Sequence, residues 1–112
     1  MTHEMKLKEK YYNYILHGTK RIEIRLLDEK RQKIKIGDTI RFSKYENLDE
    51  SFEVKVIDLL KYNSFEELIN NYNIELLADK SMTKEELLEV FNEFYTKEEQ
   101  DKYGVVGIKI EI

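Results

Sequence analysis

One short segment holds the side chains best suited to chemistry: Gly-Thr-Lys-Arg-Ile-Glu-Ile-Arg, residues 18–25. It places a lysine (Lys20), a glutamate (Glu23) and an arginine (Arg25) close together. A carboxylate accepts hydrogen bonds and the two cations donate them, so the three groups can surround a polar ligand. The alternative is that Glu23 only forms ion pairs with neighbouring arginines on the exposed face of a sheet.

Arginine is confined to one stretch of the chain, at Arg21, Arg25, Arg31 and Arg41, and the other 15 basic residues are lysines. Its planar guanidinium suits carboxylates, phosphates and base edges. Arg31 and Arg41 are therefore candidate ligand-binding residues beside Arg25. Arg31 also lies in a basic run with Lys30, which is typical of a phosphate-contacting rim or of a solvated loop.

Three further residues are candidates for the site. Tyr11 and Tyr12 immediately precede the segment, and aromatic faces bind unstacked bases. The alternative for both tyrosines is packing in the core with the hydroxyl at the surface. His3 lies near the chain end in a predicted strand, where it either faces a cleft or is a partly exposed surface residue.

The composition excludes several classes of protein. The 112 residues contain no cysteine, which rules out a disulfide scaffold, a thiolate zinc site and a cysteine nucleophile. With only two histidines, we expect no metal and no cofactor. No apolar run approaches the ~20 residues of a membrane span, and no signal segment is evident. We expect one cytoplasmic, prokaryotic domain over residues 1–112.

The net charge of −4 is unevenly distributed. Residues 1–44 hold 12 basic and 6 acidic side chains, whereas residues 45–112 hold 7 basic and 17 acidic ones. The basic part contains the segment described above. An anionic partner is therefore expected on that side, and the acidic part is either a solvent face or a surface for a protein partner.

The periodicity of apolar residues predicts five strands and four helices. Alternation predicts strands over 3–7, 21–26, 39–43, 51–60 and 105–112. A helix is predicted over 9–17, with Gly18 as a left-handed C-terminal cap. Capping-box patterns at Ser64, Thr83 and Thr96 begin three more helices. Half-buried strands of this kind favour an α+β fold with a small, mostly antiparallel β-barrel flanked by helices.

The segment resembles the G-x-K-x-x-E-x-R signature of the ASCH domain family (activating signal cointegrator homology). The resemblance continues in the aromatic helix before it, in the charged Asp28–Arg31 stretch after it and in Ile36-Gly37-Asp38 before the next strand. Tyr103-Gly104-Val105-Val106-Gly107-Ile108 is similar to the closing strand of that family. Essentially the whole chain is covered.

This resemblance implies a PUA-like barrel whose signature residues line a cleft. It further implies binding of RNA or a modified nucleotide through Lys20, Glu23 and Arg25. One bacterial branch of the family resembles amidohydrolases of N4-acetylcytidine, with a threonine where Glu23 stands and a glutamate near the position of Lys80. An enzyme here would use Glu23 as general base and Lys20 to stabilise the oxyanion. Nucleotide binding, amide hydrolysis and protein interaction remain the three hypotheses.

Overall fold

Residues 1–112 are described by the computed structural model, and five strands and five α-helices account for most of them. The strands are β1 (Thr2–Leu7), β2 (Ile22–Leu26), β3 (Thr39–Lys44), β4 (Ser51–Tyr62) and β5 (Val105–Glu111). The helices are α1 (Glu9–Leu16), α2 (Phe65–Asn70), α3 (Ile74–Leu77), α4 (Lys84–Phe94) and α5 (Lys97–Tyr103). None of the helices combines the length and apolar composition needed to cross a membrane.

The strands form one curled sheet in the order β1-β3-β4-β5-β2. The β1–β3 pair is parallel, and the other three pairs are antiparallel. The sheet and its helices make an α+β half-barrel that is consistent with a PUA-like barrel, so the predicted fold class is confirmed. The barrel is not closed by backbone hydrogen bonds, because β1 and β2 are both edge strands.

Alternation in β2 assigns its two faces to different surroundings. Ile22, Ile24 and Leu26 pack in a cluster with residues of α2, α3 and α4. Glu23 and Arg25 point to the opposite face, where their partners in the register of β5 are Ile108 and Val106 of the barrel interior. Two polar side chains therefore lie on the inner face of the barrel, beside an apolar core.

Two details of the local structure differ from the sequence predictions. Gly18 is not left-handed, since the glycines with positive φ are Gly37 and Gly104. A side chain at Gly18 would instead lie 2.8 Å from the carbonyl oxygen of Tyr14, so close packing is what requires glycine there. The short helix α3 was not predicted, because four residues without a side-chain cap carry too little periodicity.

The three predicted helix starts are confirmed. Ser64, Thr83 and Thr96 each accept a hydrogen bond from the backbone three residues later. Thr83 and Thr96 form complete capping boxes with Glu86 and Glu99. The cap at Thr83 fixes the beginning of α4, the longest helix.

Replacing Thr83 with alanine should lower the free energy of unfolding by about 1 kcal/mol, because the backbone donor of Glu86 loses its acceptor. Urea unfolding followed by circular dichroism measures this change. Thr83→Ser keeps the hydroxyl and should remain close to wild type. Equal stability of the alanine and serine variants would show that the cap contributes nothing.

Candidate functional site

A cavity of about 410 Å³ opens between the edge strands β1 and β2, and α4 covers one side of it. Its lining comes from six parts of the chain: Lys6, Leu7 and Lys8 at the end of β1, Tyr11 of α1, Lys20 with Glu23, Ile24 and Arg25 around β2, Tyr45 and Glu46 after β3, Leu77 of α3, and Leu87, Val90, Phe91, Phe94 and Tyr95 in or after α4. The cavity therefore lies in the gap between β1 and β2, where no backbone hydrogen bonds close the half-barrel.

The signature residues Lys20, Glu23 and Arg25 converge on this cavity. Nζ of Lys20 lies 3.2 Å from Oε1 of Glu23. Nε of Arg25 donates to Oε2 of Glu23 at 2.7 Å. The carboxylate of Glu23 is therefore clamped between two cations, and only 6% of the residue is exposed. This arrangement replaces the exposed ion pair that the sequence left as an alternative.

The Lys20 ammonium has three oxygen partners inside the protein. Nζ donates to the carbonyl oxygens of Ile22 and Leu77, each at 2.7 Å, besides its contact with Glu23. An ammonium has three donors, so a ligand can gain a bond from Lys20 only if one of these breaks. Lys20 therefore orients Glu23 and ties β2 to α3.

Arg25 connects the two edges of the sheet. Its Nη2 donates to the carbonyl oxygen of Lys6 at 3.0 Å, so a side chain of β2 reaches the backbone of β1. Nη1 of Arg25 has no hydrogen-bond partner in the protein and is not among the fully buried unpaired atoms. The guanidinium therefore joins the two edge strands through Nη2, while Nη1 keeps some contact with solvent.

The charges of the three groups are mutually stabilised. Burial by itself raises the pKa of Glu23, but the charges of Lys20 and Arg25 outweigh this effect, and the net pKa is lowered. Burial lowers the pKa of Lys20 despite the opposing charge of Glu23. Burial by itself lowers the pKa of Arg25, but the charge of Glu23 and its hydrogen bond outweigh this effect. The net pKa of Arg25 is therefore raised. Glu23 is thus an ionised carboxylate at neutral pH.

Aromatic side chains line the walls and the mouth of the cavity. Tyr45 is 58% exposed and Phe94 is 60% exposed, which is unusual for such large apolar surfaces. Phe91 is anchored by stacking on Phe65, with ring centroids 4.7 Å apart. Nζ of Lys8 lies 4.9 Å from the centroid of the Phe94 ring, so a cation and an aromatic face meet at the mouth.

The two candidate tyrosines lie in different surroundings. Tyr11 lines the cavity, and burial, Tyr14 and Glu23 raise its pKa. Tyr12 is buried in the barrel core, where its ring packs edge-on against Phe52 at 4.8 Å. Adjacent helical residues face different directions, and the sequence could not decide which of the two would face the site.

The structure does not bring the other three candidates to the cavity. Arg31 pairs with Asp28 at 3.1 Å, and Arg41 pairs with Glu53 at 2.8 Å on the exposed face of the sheet. Nε2 of His3 lies 2.8 Å from Oδ2 of Asp38, on the side of β1 that meets the start of β3. Hydrogen bonds from His3 and from the Lys35 backbone lower the pKa of Asp38 to about 2. His3 therefore holds the beginning of β1 against the residue that precedes β3.

Sequence reasoning missed the residues at the mouth. Tyr45 and Glu46 lie in a loop with no motif, and Phe94 and Tyr95 end a helix whose apolar spacing predicts only core packing. Lys6 and Lys8 lie outside the arginine-rich stretch. No group of three or more histidine, aspartate or glutamate side chains is placed to hold a metal ion.

Comparison with known proteins identifies the family. The ASCH domain matches residues 5–112. This chain belongs to the ASCH domain family. The crystal structure of hypothetical protein PH0355 is 41% identical, with a TM-score of 0.86 over 99% of this chain and 98% of that one. The solution structure of protein PF0455 from Pyrococcus furiosus is 39% identical, with a TM-score of 0.76 over 99% and 96% of the two chains. No curated protein matches.

Removing the buried cation should destabilise the ASCH domain far more than removing an exposed one. We expect Lys20→Met to lower the free energy of unfolding by about 3 kcal/mol, because Glu23 and two carbonyl oxygens lose a buried partner. Arg41→Met removes an exposed cation and should change it little. Urea unfolding of both variants measures the difference, and equal losses would contradict the importance of the buried cluster.

The carboxyl group of Glu23 should titrate below the ordinary value of about 4.3 for glutamate. A folded-state pKa below the unfolded one contributes stability above the unfolded pKa, and that contribution is lost as the pH falls through the folded value. Carbon-detected NMR of the side-chain carboxyl measures the midpoint. Lys20→Met should shift it upward, and an unchanged midpoint would show that Lys20 does not hold Glu23 ionised.

Proposed function

We propose that this ASCH domain binds one unstacked base of an RNA, or a free modified nucleoside, in the cavity between β1 and β2. The observation that carries the proposal is the buried, ionised carboxylate of Glu23 at the floor of an aromatic-walled cavity. Single-stranded RNA is read in this way, by stacking on aromatic rings and by hydrogen bonds to base edges. The cavity volume lies within the range of small-molecule sites, about 300–1,000 Å³.

The charges favour one orientation of such a ligand. The free lone pairs of Glu23 accept hydrogen bonds, which a base can donate through its N–H groups and an ionised phosphate, having no donor, cannot. Lys6 and Lys8 are exposed at the mouth, where a phosphate or the continuing chain would emerge. The base therefore enters, and the sugar and phosphate stay outside.

Amide hydrolysis has less support from the geometry. Lys20 is already engaged by two carbonyl oxygens and by Glu23, and the lowered pKa of Glu23 makes it a weak general base. Lys80, near the position of the glutamate in the enzymatic branch, is exposed and is not among the residues that line the cavity. The acidic helical half remains available as a surface for a protein partner, but no feature of it specifies one.

Binding of short single-stranded RNAs and of nucleosides at low salt tests the proposal. Fluorescence anisotropy should show that Tyr45→Ala and Phe94→Ala each weaken binding about 5-fold to 150-fold, since a lost stacking contact costs ~1–3 kcal/mol. Ile36→Ala removes an equally exposed apolar side chain away from the cavity and should have no effect.

Two results would contradict the proposal that the domain is a base-binding module without catalytic activity. The first is no binding of any RNA or nucleoside at low salt, where electrostatic affinity is greatest. The second is release of cytidine from N4-acetylcytidine, detected by chromatography and abolished by Lys20→Ala, which would establish the amidohydrolase instead. Binding that is unaffected by either aromatic substitution would place the ligand elsewhere on the domain.

A further inference from the structure

The hydrogen bonds inside the protein determine which polar atoms remain for a ligand. Oε1 of Glu23 lies 3.2 Å from Nζ of Lys20, and Oε2 accepts a hydrogen bond from Nε of Arg25. A carboxylate has about four acceptor sites, so each oxygen retains at least one more. Lys20 is already bonded to two carbonyl oxygens and paired with Glu23. The floor of the cavity therefore presents two adjacent acceptors.

A ligand that complements this floor presents two neighbouring N–H donors. Among the four RNA bases, guanine has such a pair along one edge, in the N2 amine and the N1–H. Adenine and cytosine would turn a ring-nitrogen lone pair toward the carboxylate. Uracil would turn a carbonyl oxygen toward it, because its single ring N–H lies between two carbonyls. An acceptor that faces an ionised carboxylate gains no bond and is repelled.

We propose that the cavity selects a guanine edge, with N1–H and the N2 amine donating to the two carboxylate oxygens of Glu23. This inference rests on the proposed function and specifies its base. Lys20 is then a positioning residue, because its two hydrogen bonds to carbonyl oxygens and its ion pair with Glu23 hold that carboxylate in place without contact to the base.

The ionised state of the Glu23 carboxylate strengthens the preference for guanine. Lys20 and Arg25 hold the pKa of Glu23 below its ordinary value, so the group stays acceptor-only at neutral pH. A protonated glutamate would present a donor to the ring nitrogen of adenine or cytosine and would tolerate both. The two cations therefore contribute to discrimination as well as to stability.

The sharpest experiment changes the ligand and leaves the protein intact. Isothermal calorimetry with GMP, AMP, CMP and UMP should show the tightest binding for GMP. Inosine monophosphate lacks only the N2 amine and should bind about 10-fold more weakly, because it loses one hydrogen bond to a charged group. The monophosphate of 1-methylguanosine lacks the N1–H and places a methyl group against Glu23, so its binding should be abolished.

The protein variant Glu23→Gln complements the series, since an amide offers one donor and one acceptor in place of two acceptors. It should bring the affinities for GMP and AMP close together, with folding checked by thermal melting. If the variant does not fold, the nucleotide series in the wild-type protein decides.

Similar affinities for all four nucleotides, or equal binding of GMP and inosine monophosphate, would overturn the guanine assignment and leave base binding standing. Preferred binding of AMP, CMP or UMP would do the same. Failure of every nucleotide and every RNA to bind would overturn the proposed function itself. The two failures are therefore distinguishable in one set of titrations.

Discussion

The ion cluster of Lys20, Glu23 and Arg25 is the interaction on which the site depends. Two cations and one carboxylate are removed from water together, which is tolerable only because each charge has close partners. The cluster leaves one net positive charge beside an apolar core. Lys20 has three partners inside the protein, which hold the Glu23 carboxylate in one orientation toward the cavity.

The cluster also explains why the barrel can stay open. Edge strands normally expose unpaired backbone groups, and a closed barrel removes them. Here β1 and β2 remain apart, and Arg25 crosses the gap to the carbonyl oxygen of Lys6. The gap is occupied by the cavity, with α4 and its aromatic side chains along one side. A fold that closed completely would have no room for a ligand at this position.

Much of the fold could be predicted because it follows from local patterns. Alternation in β2 separates Ile22 from Glu23, and the capping residues begin their helices where the sequence places them. The site could be predicted only in part. Tyr11 and Tyr12 are neighbours with the same chemistry, and only the packing of α1 turns one toward the cavity and the other into the core. Tyr45 and Phe94 carry no local signal, since their role depends on distant strands and helices.

The sequence by itself determined the α+β class, the absence of thiol chemistry and the segment that holds Lys20, Glu23 and Arg25. These properties depend on residue type and on short-range spacing, and both can be read from the amino-acid sequence. Only the tertiary structure decided that Glu23 is buried, that Lys20 bonds to two carbonyl oxygens and that Arg31, Arg41 and His3 lie elsewhere. Burial and hydrogen-bond partners come from residues far apart in the chain, such as Leu77 beside Lys20, and no local pattern encodes them.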